Sequence, residues 1–595
     1  MKRTFGTRYQ VPAVLVSALV ASSFVACSGA EPELPPGPGI DVAERTPPAI
    51  SGGTLLVTKD GQTAVAADPD RDRIWITNLA QRRVVGEIVL EDNDEPGRVV
   101  EGAAGRAYVA LRRGGAVVAI DTTTAKIVSR TQVCLAPRGL AHDAATDVLH
   151  VACAGGELVT LDSAGQETRR LRPGLDLRDI VIDGDHLLVT QFKSAKVLVV
   201  GADGAVREAG VPADLQDEFT FEQTFTPAVA WRTVGMPGGG AAMVHQRALT
   251  TGVTVEPGGY GGTGCVNGIV HGTISIFRPG SEPSTPVVAP AAAGALPAAI
   301  LPVDMAVSSD GAKMAVVAAG NNVIFHTQPD VVESGFADPC GSSFFSEPVD
   351  GQPTAVAFAN NEVVVQTREP AALLLLGTGD RIELPGVSVA DTGHEMFHTN
   401  PSGGTSLACA SCHPEGDQDG RTWHFDVIGA RRTQTVAGGI LATAPLHWDG
   451  DMAGLDEIMS EVFVNRMAGM PQGPRRVRAF AKYIDSLPAV PVSPVADAAS
   501  AERGRALFND ATVACASCHS GEKLTNNTSV DVGTGRAFQV PTLVGVSMRA
   551  PFMHDGCAPT LRDRFGACGG GDKHGRTSQL TTAQIDDLVT YLETL

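Results

Sequence analysis

Between residues 50 and 387 one short pattern keeps returning: four to six apolar or alternating residues, entered from an Asp or Gly turn and left at another. Asp72-Arg73-Ile74-Trp75-Ile76-Thr77, Gly105-Arg106-Ala107-Tyr108-Val109-Ala110, Asp147-Val148-Leu149-His150-Val151-Ala152 and Asp185-His186-Leu187-Leu188-Val189-Thr190 are the clearest copies. Weaker ones begin at Gly240, Gly311 and Asn361, and the spacing runs from 33 to 71 residues, with a long insertion before the sixth. Such runs are strand signals, and partner strands recur at Val117–Asp121, Leu158–Asp162 and Val197–Val200. Each unit has one face to bury and a neighbour of the same kind to bury it against. Repeats of about 40 to 45 residues built from four short strands close into a β-propeller. Seven copies predict seven blades.

The pattern resembles the seven-bladed propellers of bacterial surface and periplasmic proteins. Such a disc offers its loops for binding a partner or substrate. His245, His271 and Cys265 lie in or beside a glycine-rich stretch, 258–272. Their spacing matches no metal-ligand motif, so a surface loop closed by one disulfide is the reading, with a metal site as the alternative.

The first segment is an address. Lys2, Arg3 and Arg8 precede an apolar run from Val11 to Val20, about half the ~20 residues needed to cross a bilayer, so residues 1–26 read as an export signal. Phe24-Val25-Ala26-Cys27-Ser28-Gly29 resembles the lipobox of bacterial lipoproteins, in which Cys27 carries the lipid. Residues 27–49, rich in proline and acid, predict an extended tether. The protein is expected in the periplasm or at the cell surface, held on the membrane by the lipid. The absence of an acidic residue after Cys27 points to the outer membrane. The net charge of -20, from 46 Lys and Arg against 66 Asp and Glu, argues against nucleic acid as a partner.

The chemistry lies in the last two hundred residues. Cys409-Ala410-Ser411-Cys412-His413 and Cys515-Ala516-Ser517-Cys518-His519 are two copies of CxxCH, the attachment sequence of c-type haem. Two thiols add across the porphyrin vinyls, and the adjacent imidazole becomes an axial iron ligand. Cys409, Cys412, Cys515 and Cys518 are therefore expected to bind two haems c, with His413 and His519 on the metals. If Cys27 carries lipid, six of the 11 cysteines remain, an even number in an oxidising compartment. Nearest-neighbour pairing gives Cys134 with Cys153, Cys265 with Cys340 and Cys557 with Cys568, one of fifteen connectivities.

Helical stretches flank each motif, at Gly393–Phe397 and Arg475–Leu487 in one unit and at Gly504–Phe508 and Thr582–Leu595 in the other. The fold class is thus multidomain, an all-β propeller followed by two all-α, class I-like cytochrome c domains. Their expected bounds are 388–487 and 500–595, with a linker at 488–499.

Trp448-Asp449-Gly450 and Arg549-Ala550-Pro551-Phe552-Met553-His554-Asp555-Gly556, beside the tandem CxxCH turns, resemble the bacterial diheme cytochrome c peroxidases over residues 391–595. The resemblance implies peroxide chemistry at the first haem, electron entry at the second, and Trp448 as the relay between them. This chain departs from that pattern. Arg466 stands where the family places an acid, and a guanidinium cannot serve as that base. Glu457 and Glu461 are nearby substitutes. Arg432 replaces an asparagine that helps hold the family's inter-haem calcium, which argues against calcium. Cys568 falls at the family's sixth-ligand position in the second domain. Candidate sixth ligands are Met467, His447 and His424 for the first haem, and His574, Met553 and Met548 for the second. His447 is also a candidate catalytic group. His394 and His398 read as helix-surface histidines, and His554 as a residue that orients a propionate or the backbone. Two functions follow. One is electron transfer between a redox partner protein or small oxidant or reductant and the two haems. The other is reduction of hydrogen peroxide at the first haem.

Overall fold

The computed structural model describes residues 39–103, 105–216, 223–261, 268–282, 285–288, 295–296, 298–334, 344–401, 407–492 and 494–595. Cys27, Cys265 and Cys340, and with them the lipid anchor and one disulfide pairing, lie outside them.

Seven antiparallel sheets follow one another over residues 55–89, 96–132, 137–171, 177–210, 215–296, 302–348 and 353–383. Six are simple four-stranded meanders, and the fifth carries extra short strands. The first long strand of each blade packs beside that of the next, and the ring closes where Leu55–Val57 meets Pro353–Ala359. This is a seven-bladed propeller. Middle strands such as Thr63–Asp68, Met314–Ala318 and Ala371–Leu375 are buried almost throughout, because both sheet faces lie against neighbouring blades. Outer strands such as Arg83–Val89 alternate between exposed and covered.

The sequence register slips in blade one. The copy at residues 72–77 is the third strand of its blade (Arg73–Asn78), whereas the copies in the other blades fall on second strands; the true equivalent is Thr63–Asp68. Second and third strands are both buried and both follow tight turns, so their sequences look alike. The long insertion belongs to blade five, whose strands Thr224–Gly235, Ala241–Leu249 and Val270–Glu282 are extended.

Blades one and seven share no strand. Side chains hold the seam instead: Arg368 donates to Asp70 at 2.9 Å, Arg71 to Glu369 at 3.2 Å, Arg82 to Asp380 at 2.7 Å, and Gln366 to the Ala67 carbonyl at 2.8 Å.

Two helical units follow. In the first, Thr392–His398 crosses Pro474–Ser486; in the second, Ala498–Asn509 crosses Thr582–Leu592. A glycine sits at each crossing, and a Cβ on Gly393 or Gly504 would overlap the backbone carbonyl of Ala479 or Asp587. Each unit also carries a two-stranded ladder, Thr422–Phe425 with Gly429–Arg432 and Ser529–Asp531 with Ala537–Gln539, so neither is purely helical. The first unit shares one continuous apolar core with blades five to seven, through Phe397, Phe463, Phe480 and Ile484.

The stretch expected to be a free tether is, from residue 40, a packed strap. Ala43 and Ile50 are buried, the Asp41 amide donates to Thr392 Oγ1 at 3.0 Å, the Ala43 amide to Asp391 at 3.3 Å, and the Ile50 amide to His398 Nε2 at 3.1 Å. His394 and His398 are accordingly not surface residues. Their rings lie 4.1 Å apart, tilted by 34°, and both meet Tyr483 edge-on, beneath the strap.

The propeller channel is filled with charge. Arg98, Arg138, Arg178 and Arg232 come from the inner strands of blades two to five, and Arg112 from a turn of blade two. Asp179 pairs with Arg98 at 2.8 Å and Arg232 at 2.9 Å, and Asp304 with Arg232 at 3.2 Å. Into this cluster the first helical unit inserts Glu415, which meets Arg178 at 2.5 Å, Arg112 at 3.7 Å, and also Arg138 and Ser51. Burial alone would raise the Glu415 carboxyl, but the three guanidiniums hold it well below the usual carboxylate range. Losing one partner of a buried ion pair costs about 3–5 kcal/mol. Glu415→Gln should therefore lower unfolding stability by about that much and loosen the cytochrome units from the propeller, read by urea melts and limited proteolysis; an unchanged midpoint would show the plug to be ornamental.

His245 and His271 also depart from expectation. They lie within buried strands of blade five and not in a surface loop. His245 Nδ1 bonds the Gln246 carbonyl at 2.8 Å and its Nε2 the Ser275 hydroxyl at 2.9 Å. Burial brings its pKa down to about 3, with Arg247 adding to the effect. The folded protein thus binds fewer protons at this ring than the unfolded chain between about pH 3 and 6.5, so the stability it protects is complete above that window and falls on acidification. Between pH 6.5 and 5 the loss is up to about 2 kcal/mol. The gap between urea midpoints measured at pH 7 and pH 5 should be narrower in His245→Gln than in the unaltered protein; an equal acid shift in both would contradict this origin.

Candidate haem centre

Both CxxCH turns open onto a single cavity of about 670 Å³ between the helical units, lined by Cys409, Cys412, His413, Cys515, Cys518 and His519. The first motif is one helical turn, Cys409–Cys412, and the second a tighter turn, Cys515–Ser517. All four cysteines are free of disulfides, and burial pushes the Cys409 thiol up to about 12. His413 Nδ1 lies 3.1 Å from the Asp417 carbonyl and His519 Nδ1 3.2 Å from the Leu524 carbonyl. A carbonyl can only accept, so Nδ1 carries the proton in each ring and Nε2 keeps its lone pair. Burial lowers both pKa values, His519 to about 4, so the rings are neutral at pH 7. A roomy apolar cavity, paired thiols and two neutral imidazoles with free Nε2 atoms fit covalently held haem.

His574 shares this arrangement. Its Nδ1 lies 3.2 Å from the Gly569 carbonyl, burial brings its pKa down to about 3, and its ring centroid is 6.3 Å from that of His519 across the cavity. Two imidazoles sharing one metal through bonds of about 2 Å have centroids about 6 Å apart. Met553 lines the same cavity, while Met548 does not; the Met548 carbonyl instead accepts from Lys193 at 3.1 Å. Cys568 is joined to Cys557, and Cys134 to Cys153.

In the first unit, His447 lines the cavity with its Nδ1 3.4 Å from Asp451. Met467 also lines the cavity, while packing in an apolar cluster with Leu407, Trp423 and blade-five side chains. His424 is exposed on a strand and does not line the cavity. Neither do Glu457 and Glu461, both exposed; Glu457 caps the Gly454 amide at 3.0 Å. The helix that begins at Leu455 widens into a π-helix over Met459–Arg466, and this turn carries Arg466 to the cavity wall.

Trp448 sits where the units meet. Its Nε1 donates to the Arg432 carbonyl at 2.7 Å, its own carbonyl accepts from the Gln539 amide at 2.8 Å, and its ring meets His554 edge-on at 6.4 Å. His554 stacks on Phe538 at 3.9 Å. Arg432 spans the junction, its side chain donating to the Arg549 carbonyl and its amide to the His554 carbonyl at 2.7 Å. Lys193, from blade four, reaches both units through Asp417 at 2.9 Å and Met548. Sequence reasoning missed Glu415 and Lys193, since neither belongs to a motif. It also missed Tyr260, a blade-five residue in the cavity wall.

Replacing His574 with alanine should turn one low-spin centre of the haem-loaded protein high-spin and leave the other unchanged; an unaltered spectrum would remove His574 from the metal.

A cytochrome c family profile matches residues 501–595. The chain is 27% identical over 257 residues to hydrazine synthase subunit gamma of Kuenenia stuttgartiensis, spanning 32% of this chain and 72% of that protein. It is 28% identical over 221 residues to the methylamine utilization protein MauG of Methylophilus methylotrophus, spanning 27% of this chain and 65% of that one. Among solved structures, a chain of Kuenenia stuttgartiensis hydrazine synthase aligns over 59% of this chain and all of its own length, at 14% identity and a TM-score of 0.43. The protein is thus a seven-bladed propeller followed by a C-terminal cytochrome c domain, similar over part of its length to hydrazine synthase subunit gamma and to MauG.

Proposed function

We propose that this protein is an extracytoplasmic, lipid-anchored diheme cytochrome c that passes electrons between a partner protein and a small oxidant or reductant. The observation that carries the reading is the shared cavity: both CxxCH turns face it, and Trp448 lies in its wall at the junction of the two units. Bound haem supplies one-electron redox chemistry at its iron. The chain supplies the rest. His519 and His574 would together hold the second haem, which suits it to receive and pass on electrons without exchanging ligands. His413 would hold the first, whose other position is left open to a ligand, and His447, Asp451, Arg466 and Met467 line the wall there. The Trp448 indole, fixed at both its ring nitrogen and its backbone, serves as the stepping stone between them. The propeller holds the two units through Glu415 and Lys193 and offers its free face to a redox partner.

A peroxidase would need a carboxylate free to move a proton between peroxide oxygens. Glu457 and Glu461 do not line the cavity, and the carboxylates that do are engaged: Asp451 with His447, Asp449 with Arg431 and Arg536, and Asp572 with the Ser578 hydroxyl. Electron transfer is therefore favoured over peroxide reduction.

The mass of the purified protein should exceed that of the processed chain by two haem groups. Electron paramagnetic resonance at defined potentials should resolve one bis-histidine low-spin centre and one of different ligation. Hydrogen peroxide should be consumed no faster than by free haem. A single haem increment would refute the diheme reading, and rapid peroxide turnover would establish the peroxidase in its place.

A further inference from the structure

The first part of the connection between the blade-five strands Ala241–Leu249 and Val270–Glu282, residues 250–261, leaves the propeller and lies on the first helical unit. It is pinned on both sides of Val253, whose amide donates to the His424 carbonyl at 2.7 Å and whose carbonyl accepts from the Asp426 amide at 2.9 Å. A third pin joins the Gly258 amide to the Asn465 carbonyl at 2.7 Å. Directly after it, the short turn Gly259–Gly261 sets Tyr260 into the cavity wall, its ring 6.1 Å from Phe425. The Tyr260 hydroxyl oxygen accepts from Arg466 Nη1 at 3.3 Å, which leaves the phenolic proton uncommitted. Among the described residues, no carboxylate lies within ion-pair distance of Arg466. Of the carboxylates in the cavity lining, Asp451 is paired with His447 at 3.4 Å, Asp449 with Arg431 and Arg536 at 3.0 Å, and Asp572 with the Ser578 hydroxyl at 2.6 Å.

A half-buried guanidinium without a counter-ion carries a desolvation cost that an anion would relieve. Its planar fork suits a ligand with two oxygens on one atom, and the phenol adds a second donor. We infer that Arg466 and Tyr260 form a binding site for a small inorganic oxyanion at the first haem, with the propeller loop supplying the phenol. The inference rests on the proposed open first centre. It gives the arginine that replaces the acid a function of its own: it holds a charged ligand where the acid would have moved a proton.

The test uses the full haem-loaded protein. Ferric protein is titrated with nitrite and followed by its Soret band, and reduced protein is titrated with carbon monoxide, a neutral ligand that needs only an open iron. Nitrite should bind the unaltered protein. Arg466→Gln should weaken it by about tenfold or more and Arg466→Lys by less, while Tyr260→Phe should weaken it about threefold. Carbon monoxide affinity should stay within about twofold throughout, which also reports that each variant is folded. Nitrite binding unchanged in Arg466→Gln and Tyr260→Phe would overturn the inference, as would carbon monoxide binding without nitrite binding in the unaltered protein; the proposed electron-transfer role would survive both results. Failure of carbon monoxide to bind the unaltered protein would close the first iron and sink the site together with that part of the proposed function.

Discussion

One carboxylate joins the two halves of this molecule. Glu415 follows the first CxxCH turn by two residues and enters a channel where Arg112, Arg138 and Arg178, from blades two to four, would otherwise lack this carboxylate. Its backbone adopts φ 53°, a left-handed conformation uncommon for a residue with a side chain, and the ion pairs hold it there. The position of the first centre is thus set by the propeller axis. A propeller channel is often a binding site; here the neighbouring unit of the same chain occupies it. Neither half has its charges balanced without the other.

The remaining contacts build on that axis. Lys193 ties blade four to both helical units, the strap from residue 40 ties the seam of the ring to the first helix, and blade five contributes a loop to the cavity wall. The second helical unit has a small apolar cluster of its own around Val546, Phe552 and Ala558, and it meets the first across polar backbone contacts from Trp448 and Arg432. Cytochrome and propeller are therefore one working body, in which a side chain from either can face the same cavity.

Much of this was legible in the sequence because its signals are local. Alternating strands, turn residues and CxxCH turns each occupy a few consecutive positions, and the Gly393 and Gly504 helices repeat the same crossing. The slip in blade one arose because buried second and third strands obey the same pattern. The errors at His245, His271, His394 and His398 share another cause: histidine is a polar residue whose own neighbours in sequence do not reveal its burial, yet each of these is covered by a different part of the chain. Tyr260, Lys193 and Glu415 were silent for the same reason, since their roles exist only once residues 206 to 355 positions apart are brought together.

The seam between blades one and seven shares no strand, so the ring is a clasped band and not a welded one. The clasp lies under the helix Thr392–His398, through Arg45 on Asp72, Asp41 on Thr392, and Arg368 between Asp70 and the Val389 carbonyl. During synthesis the strap and all seven blades emerge before the helix that covers the joint. Blade seven can therefore meet blade one through its own side chains, and the first helical unit, arriving after them, locks a joint already made.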